Sequence, residues 1–101
     1  MLQTAIDYVG PQGPGQIVAY TGTHGVITNP IPANATFIWV WVSSIAYVKV
    51  GKGSPVATAV DFPLPASYPV KIPLPDNDGT YKVSAVQVAA GGNLHVSPIA
   101  Y

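Results

Sequence analysis

One run in this chain is apolar at almost every position. Residues 36–50 read Thr-Phe-Ile-Trp-Val-Trp-Val-Ser-Ser-Ile-Ala-Tyr-Val-Lys-Val, with no Gly or Pro. β-Branched and aromatic residues suit a pleated, half-buried surface. Successive side chains of a strand point to opposite faces. Phe37, Trp39 and Trp41 therefore share one face, and Ile38, Val40 and Val42 the other. Both faces are apolar, which predicts a central strand covered on both sides. Ser43-Ser44 is the polar break, and Ile45 onward reads as a second strand. The run is thus a core hairpin or a strand that bends at the serines.

Shorter extended runs flank it. Residues 17–21, 26–28, 56–62, 70–72, 81–89 and 94–97 read as strands. Between them lie turn residues such as Thr21-Gly22-Thr23-His24-Gly25, Asn29-Pro30-Ile31-Pro32 and Gly51-Lys52-Gly53-Ser54-Pro55. Pro63, Pro65 and Pro69 confine residues 62–70 to an edge strand or a loop, because Pro cannot donate to a ladder. Asp76-Asn77-Asp78-Gly79 is a strong turn signal, and Ala90-Gly91-Gly92-Asn93 predicts a hairpin that returns residues 94–97 beside 81–89. No window free of Pro and Gly carries a 3.6-residue period. The pattern predicts an all-β, single-domain antiparallel β-sandwich, Ig-like or jelly-roll-like, of about seven or eight short strands. Residues 1–16, with Gly10-Pro11-Gln12-Gly13-Pro14-Gly15, read as an N-terminal arm and linker; residues 17–101 form the sandwich.

Charge changes this picture most. Only 8% of the 101 residues are charged, against about 25% in ordinary domains. Four Lys balance four Asp, and Arg and Glu do not occur. A neutral, weakly charged surface favours association, so much of it is expected to be covered by partners. Four lysines make too small a basic footprint for nucleic acid. No apolar run approaches the ~18 residues of a membrane span, and Met1-Leu2-Gln3-Thr4 lacks the basic start of a signal peptide. The expectation is a protein made in a cytoplasm, with no nucleic-acid or membrane partner.

Candidate chemistry is sparse. His24 and His95 are the two histidines, far apart and without ligand-spaced neighbours, so no metal is expected. The Asp76–Gly79 turn resembles half of a calcium loop, but the chain holds no Glu for its bidentate ligand. Asp76 and Asp78 are the one close carboxylate pair. No serine sits in a Gly-x-Ser-x-Gly elbow, and Gly51-Lys52-Gly53-Ser54 is followed by Pro55 rather than a helix. No catalytic residue and no cofactor is expected. Trp39, Trp41, Tyr47, Tyr68 and Tyr81 could build a sugar platform, yet the two tryptophans lie in the most apolar stretch, where core packing is the expected role. Apolar residues near both ends, Leu2, Ile6, Tyr8, Val9, Ile99 and Tyr101, are the expected interface.

One resemblance can be stated. The order Ala46-Tyr47-Val48-Lys49-Val50-Gly51, then Val56-Ala57-Thr58-Ala59-Val60-Asp61-Phe62-Pro63-Leu64-Pro65-Ala66, then Val83 to Ala89 followed by Ala90-Gly91-Gly92-Asn93-Leu94-His95-Val96-Ser97, resembles small structural proteins of tailed phages. Those serve as capsid decoration or cement proteins, or as spike and fibre bases. The resemblance covers about residues 37–97 and rests on apolar and turn positions. It implies a β-sandwich or jelly-roll-like module without catalysis, placed on a virion assembled in the host cytoplasm. The expected partners are copies of the chain itself, a trimer first and a dimer second, and the major capsid protein. A carbohydrate-binding or adhesin module and a tail or fibre component are the alternatives.

Overall fold

The computed structural model describes residues 15–99. They form eight strands: β1 (Gln16–Tyr20), β2 (Gly25–Val26), β3 (Phe37–Val42), β4 (Ala46–Lys52), β5 (Phe62–Leu64), β6 (Val70–Pro73), β7 (Tyr81–Gln87) and β8 (Gly92–Ile99). The strands make two four-stranded sheets, ordered β1-β8-β3-β6 and β2-β7-β4-β5, with every strand pair antiparallel. The two sheets pack face to face as a β-sandwich, as the pattern of short strands predicts.

The pairing has a simple logic. The first strand pairs with the last, the second with the seventh, the third with the sixth and the fourth with the fifth. The chain is one long antiparallel ribbon, folded at β4–β5 and then rolled. Rolling brings β8 against β3 and β7 against β4, which closes the sheets. This is jelly-roll topology rather than the Ig arrangement.

That topology corrects three local expectations. Residues 36–50 are neither a hairpin nor one bent strand: β3 lies in the first sheet and β4 in the second. The turn at residues 88–91 does not close a hairpin either, because β7 and β8 lie in different sheets. Among the described strands, only β4 and β5 are both consecutive and paired. Residues 53–61 are a connection, and β5 begins only at Phe62. A turn signal marks where the chain reverses; it does not say which strand the returning segment meets. At the amino end β1 starts at Gln16, so the last residue of the expected arm belongs to the sheet.

Ile38, Val40, Val42, Leu94 and Val96 of the first sheet meet Ala46, Val48, Val83 and Ala85 of the second, all buried. Ile27, Ile31, Ala35 and Leu74 seal the core from the connections. β3 is thus an interior strand of its sheet, as predicted, with its Ile-Val-Val face at 0% exposure. The expected cover on both sides is not found, because among the described residues the second sheet packs on that face alone.

Two polar devices hold the turns. The buried Tyr20 hydroxyl donates to the Ser44 carbonyl and accepts from the Ser44 amide at 3.3 Å, tying the end of β1 to the β3–β4 turn. Gly92 passes beside this contact; a Cβ there would stand 2.6 Å from Ser43 Oγ and 2.8 Å from Tyr20 Oη. Asn77 donates to the Pro32 and Ala35 carbonyls at 2.7 and 3.0 Å, anchoring the β6–β7 turn to the segment before β3.

Candidate contact surface

The outer face of the first sheet carries the aromatic residues. Because Ile38, Val40 and Val42 point inward, Phe37, Trp39 and Trp41 point away from the other sheet. Both tryptophans are half-buried and stand outside the core cluster. This corrects the expectation that they pack in the core: the sequence pairs them on one face but does not say which face meets the second sheet. Phe37 and Trp39 meet edge to face at 6.3 Å, and Lys71 sits over the Phe37 ring at 4.3 Å. Trp41 stacks on His95, directly opposite it on β8. Across β8 from His95 is Ile17, so the outer face carries a row of Ile17, His95 and Trp41. The Trp39 indole N–H is buried and unpaired among the described residues.

A second set of exposed apolar residues lies at the edge of the second sheet. β5 is the edge of the second sheet, and Val56, Val60, Phe62 and Tyr68 in and around it are exposed. The connection 53–61 folds back over the outside of that sheet. Its Ala57 amide donates to the buried Ser84 hydroxyl at 3.0 Å. It then makes a tight turn, in which the Asp61 carboxylate accepts from the Thr58 amide at 2.7 Å and the Asp61 amide donates to the Thr58 carbonyl at 3.0 Å. Val60, inside this fastened turn, is 93% exposed. Sequence reading took residues 56–62 for a strand and missed this feature. The available signal was Thr58 followed three residues later by Asp61, a side-chain-closed turn.

Lys52, Asp76 and Asp78 serve the β6–β7 turn. Lys52 at the end of β4 pairs with Asp78 at 3.2 Å, and the Thr80 hydroxyl donates to Asp78 at 2.5 Å. The Tyr81 hydroxyl donates to Asp76 at 2.9 Å. The Thr80 and Lys52 contacts hold the Asp78 carboxyl below the usual carboxylate range. The hydrogen bond and charge of Asp78 raise Lys52, and the Asp76 hydrogen bond raises Tyr81. The two carboxylates have partners from β4 and β7, Lys52 and Tyr81.

Among the described residues no three His, Cys, Asp or Glu side chains converge as a metal site. His24 lies in the bend between β1 and β2, and His95 is engaged by Trp41. No helix of the described residues is long and apolar enough to cross a membrane. Of the interface expected from sequence, Leu2, Ile6, Tyr8, Val9 and Tyr101 lie outside the described residues. Ile99 lies opposite Phe37 and is 1% exposed, so its side chain is used within the chain's own fold. Ile17, Val60 and Phe62, which sequence reading did not single out, are the most exposed large apolar side chains among the described residues. Comparison with protein-family models, curated proteins and solved structures finds no match.

Proposed function

We propose that this chain is a non-enzymatic virion structural protein, a tailed-phage capsid decoration or cement protein that binds copies of itself and the major capsid protein. The observation that carries this reading is the pairing of exposed apolar groups with very low charge. Val60 at 93%, Ile17 at 66% and Phe62 at 61% are exposed in a chain where 8% of residues are charged. Large apolar side chains exposed at two separate places, the β1 edge and the surroundings of β5, offer contact surfaces to partners. Such a protein would act by area, covering seams between shell subunits and adding buried apolar surface that resists internal pressure. Jelly rolls build viral shells and lectins alike, so the fold by itself does not choose between them.

The test is cosedimentation of the purified chain with capsids that lack it. It should pellet with them and raise their resistance to heat. Val60→Lys and Phe62→Lys should weaken binding while the fold, followed by circular dichroism, stays intact. A chain that stays in the supernatant at saturating concentration would sink the proposal.

A carbohydrate-binding role is the second reading, favoured by Trp39 and Trp41 lying outside the core on an outer face. Against it, His95 covers one face of the Trp41 indole, which leaves at most the other face of that ring for a sugar. Saturable quenching of tryptophan fluorescence by a glycan, lost in Trp41→Ala, would favour this reading.

A further inference from the structure

The sandwich has four sheet edges, and three are closed to further pairing. β5 contains Pro63 and is followed by Pro65. β6 carries Lys71, follows Pro69 and ends at Pro73. β2 is two residues long, and Pro30 and Pro32 interrupt the segment that follows it. Proline, lysine and short length are the usual means of blunting an edge. β1 has none of them: it reads Gln-Ile-Val-Ala-Tyr.

The hydrogen-bond pattern shows which β1 groups are open. Asn93 turns both backbone groups toward β3: its carbonyl accepts from the Ser43 amide at 3.0 Å, and its amide donates to Ser43 Oγ at 2.8 Å. Directly opposed antiparallel residues point either both toward or both away from each other. Ala19, opposite Asn93, therefore points its N–H and C=O away from β8, and so does Ile17 two residues earlier. The Ala19 carbonyl is masked by Gly25, where a Cβ would stand only 2.2 Å away. The Ile17 amide and carbonyl thus face the open side of β1, which among the described residues pairs only with β8, and the Ile17 side chain is 66% exposed.

We infer that this edge, centred on Ile17, pairs antiparallel with the same edge of a second copy about a twofold axis. The geometry is self-complementary: the Ile17 amide of each copy donates to the Ile17 carbonyl of the other, joining two four-stranded sheets into one. β1 carries no charge, so the twofold brings no like charges together. The masked Ala19 carbonyl limits the pairing to a short segment, which makes the dimer weak and concentration-dependent. This contact gives a dimer, which the sequence reading put second to a trimer. It stands independently of the virion reading.

The experiment is sedimentation of the full chain over a range of concentrations, beside Ile17→Pro, Ile17→Lys and, as a control, Val88→Lys. Ile17→Pro removes an N–H that β8 does not use, and Ile17→Lys sets two charges against each other at the axis. Wild type and Val88→Lys should form a dimer that grows with concentration. Both Ile17 variants should raise its Kd at least tenfold, on the order of the cost of an interface charge or lost ladder bond. Should Ile17→Pro lose its fold by circular dichroism, the lysine variant decides. A wild-type chain that is monomeric up to millimolar concentration would overturn the inference. So would Ile17 variants that associate like wild type, including the case where only deletion of residues 1–14 abolishes association. Capsid binding is measured separately, so a monomer that still binds particles would overturn the edge pairing and leave the virion reading standing.

Discussion

The Trp41 indole and the His95 imidazole lie face to face across the β3–β8 pair, 3.8 Å between centroids and 7° from parallel. Both stand on the outer face, so the stack stabilises the sheet from outside the core. A Trp41→Ala, His95→Ala double-mutant cycle should give a coupling of about 0.5–1.5 kcal/mol. Trp41→Ala alone should cost less than the ~3–5 kcal/mol of a fully buried aromatic. Denaturant unfolding of the four proteins measures both, and zero coupling would mean the stack contributes nothing.

Two isoleucines of the first sheet separate its faces. Ile38 is 0% exposed and Ile17 is 66% exposed. Ile38→Ala should destabilise by about 2–5 kcal/mol. Ile17→Ala should stay within about 0.5 kcal/mol when measured at low concentration. Equal costs would contradict the assignment of inner and outer faces.

Gly25→Ala is expected to destabilise by about 1–3 kcal/mol, because the new methyl cannot fit 2.2 Å from a backbone carbonyl and β1 and β2 must move apart. Thermal melts of this variant should be compared with Gly53→Ala, which faces open space but has a φ of 75°. The loss at position 53 reflects backbone conformation alone, about 1–2 kcal/mol. The two glycines thus test two different physical causes.

Tyr20 links the fold to alkaline pH. Burial raises its pKa, and its hydrogen bond to the Ser44 carbonyl offsets this in part. The folded state thus holds the phenolic proton more tightly than the unfolded chain, whose tyrosine titrates near about 10. The associated stability is fully present below that pH and is lost as pH rises toward the folded value. Tyr20→Phe should flatten this alkaline slope and cost about 1–3 kcal/mol at neutral pH, since the Ser44 backbone loses its partner.

Asp78 has the opposite sign. Its folded pKa lies below the unfolded value, first through the Thr80 hydroxyl and then through Lys52. Its contribution is present above the unfolded carboxylate pKa and is lost as pH falls through the folded one. Asp78→Asn should therefore reduce the acid-side dependence of melting temperature. The pair is solvated, so added salt should weaken the effect. An unchanged acid limb in Asp78→Asn would rule this out.

The sequence by itself determined the all-β class and most of the strands, though not that residues 53–61 are a connection. Prolines and glycines excluded helices, and two-residue alternation put Ile38, Val40 and Val42 on one face and Phe37, Trp39 and Trp41 on the other. It also placed the Asp76–Gly79 turn and the edge character of residues 62–70, because those depend on local backbone restrictions that Pro, Gly and Asn impose on themselves. Only the tertiary structure decided which of the two faces of β3 turns inward, since both are apolar and local pattern cannot rank them. It alone decided that β3 and β4, or β7 and β8, part into different sheets, because pairing of the first strand with the last is a contact across the whole chain that no local window contains. The open edge at Ile17 was hidden for the same reason. A strand becomes an edge only when the sheet's order is known, and which of its amides stay unpaired follows from the register with β8.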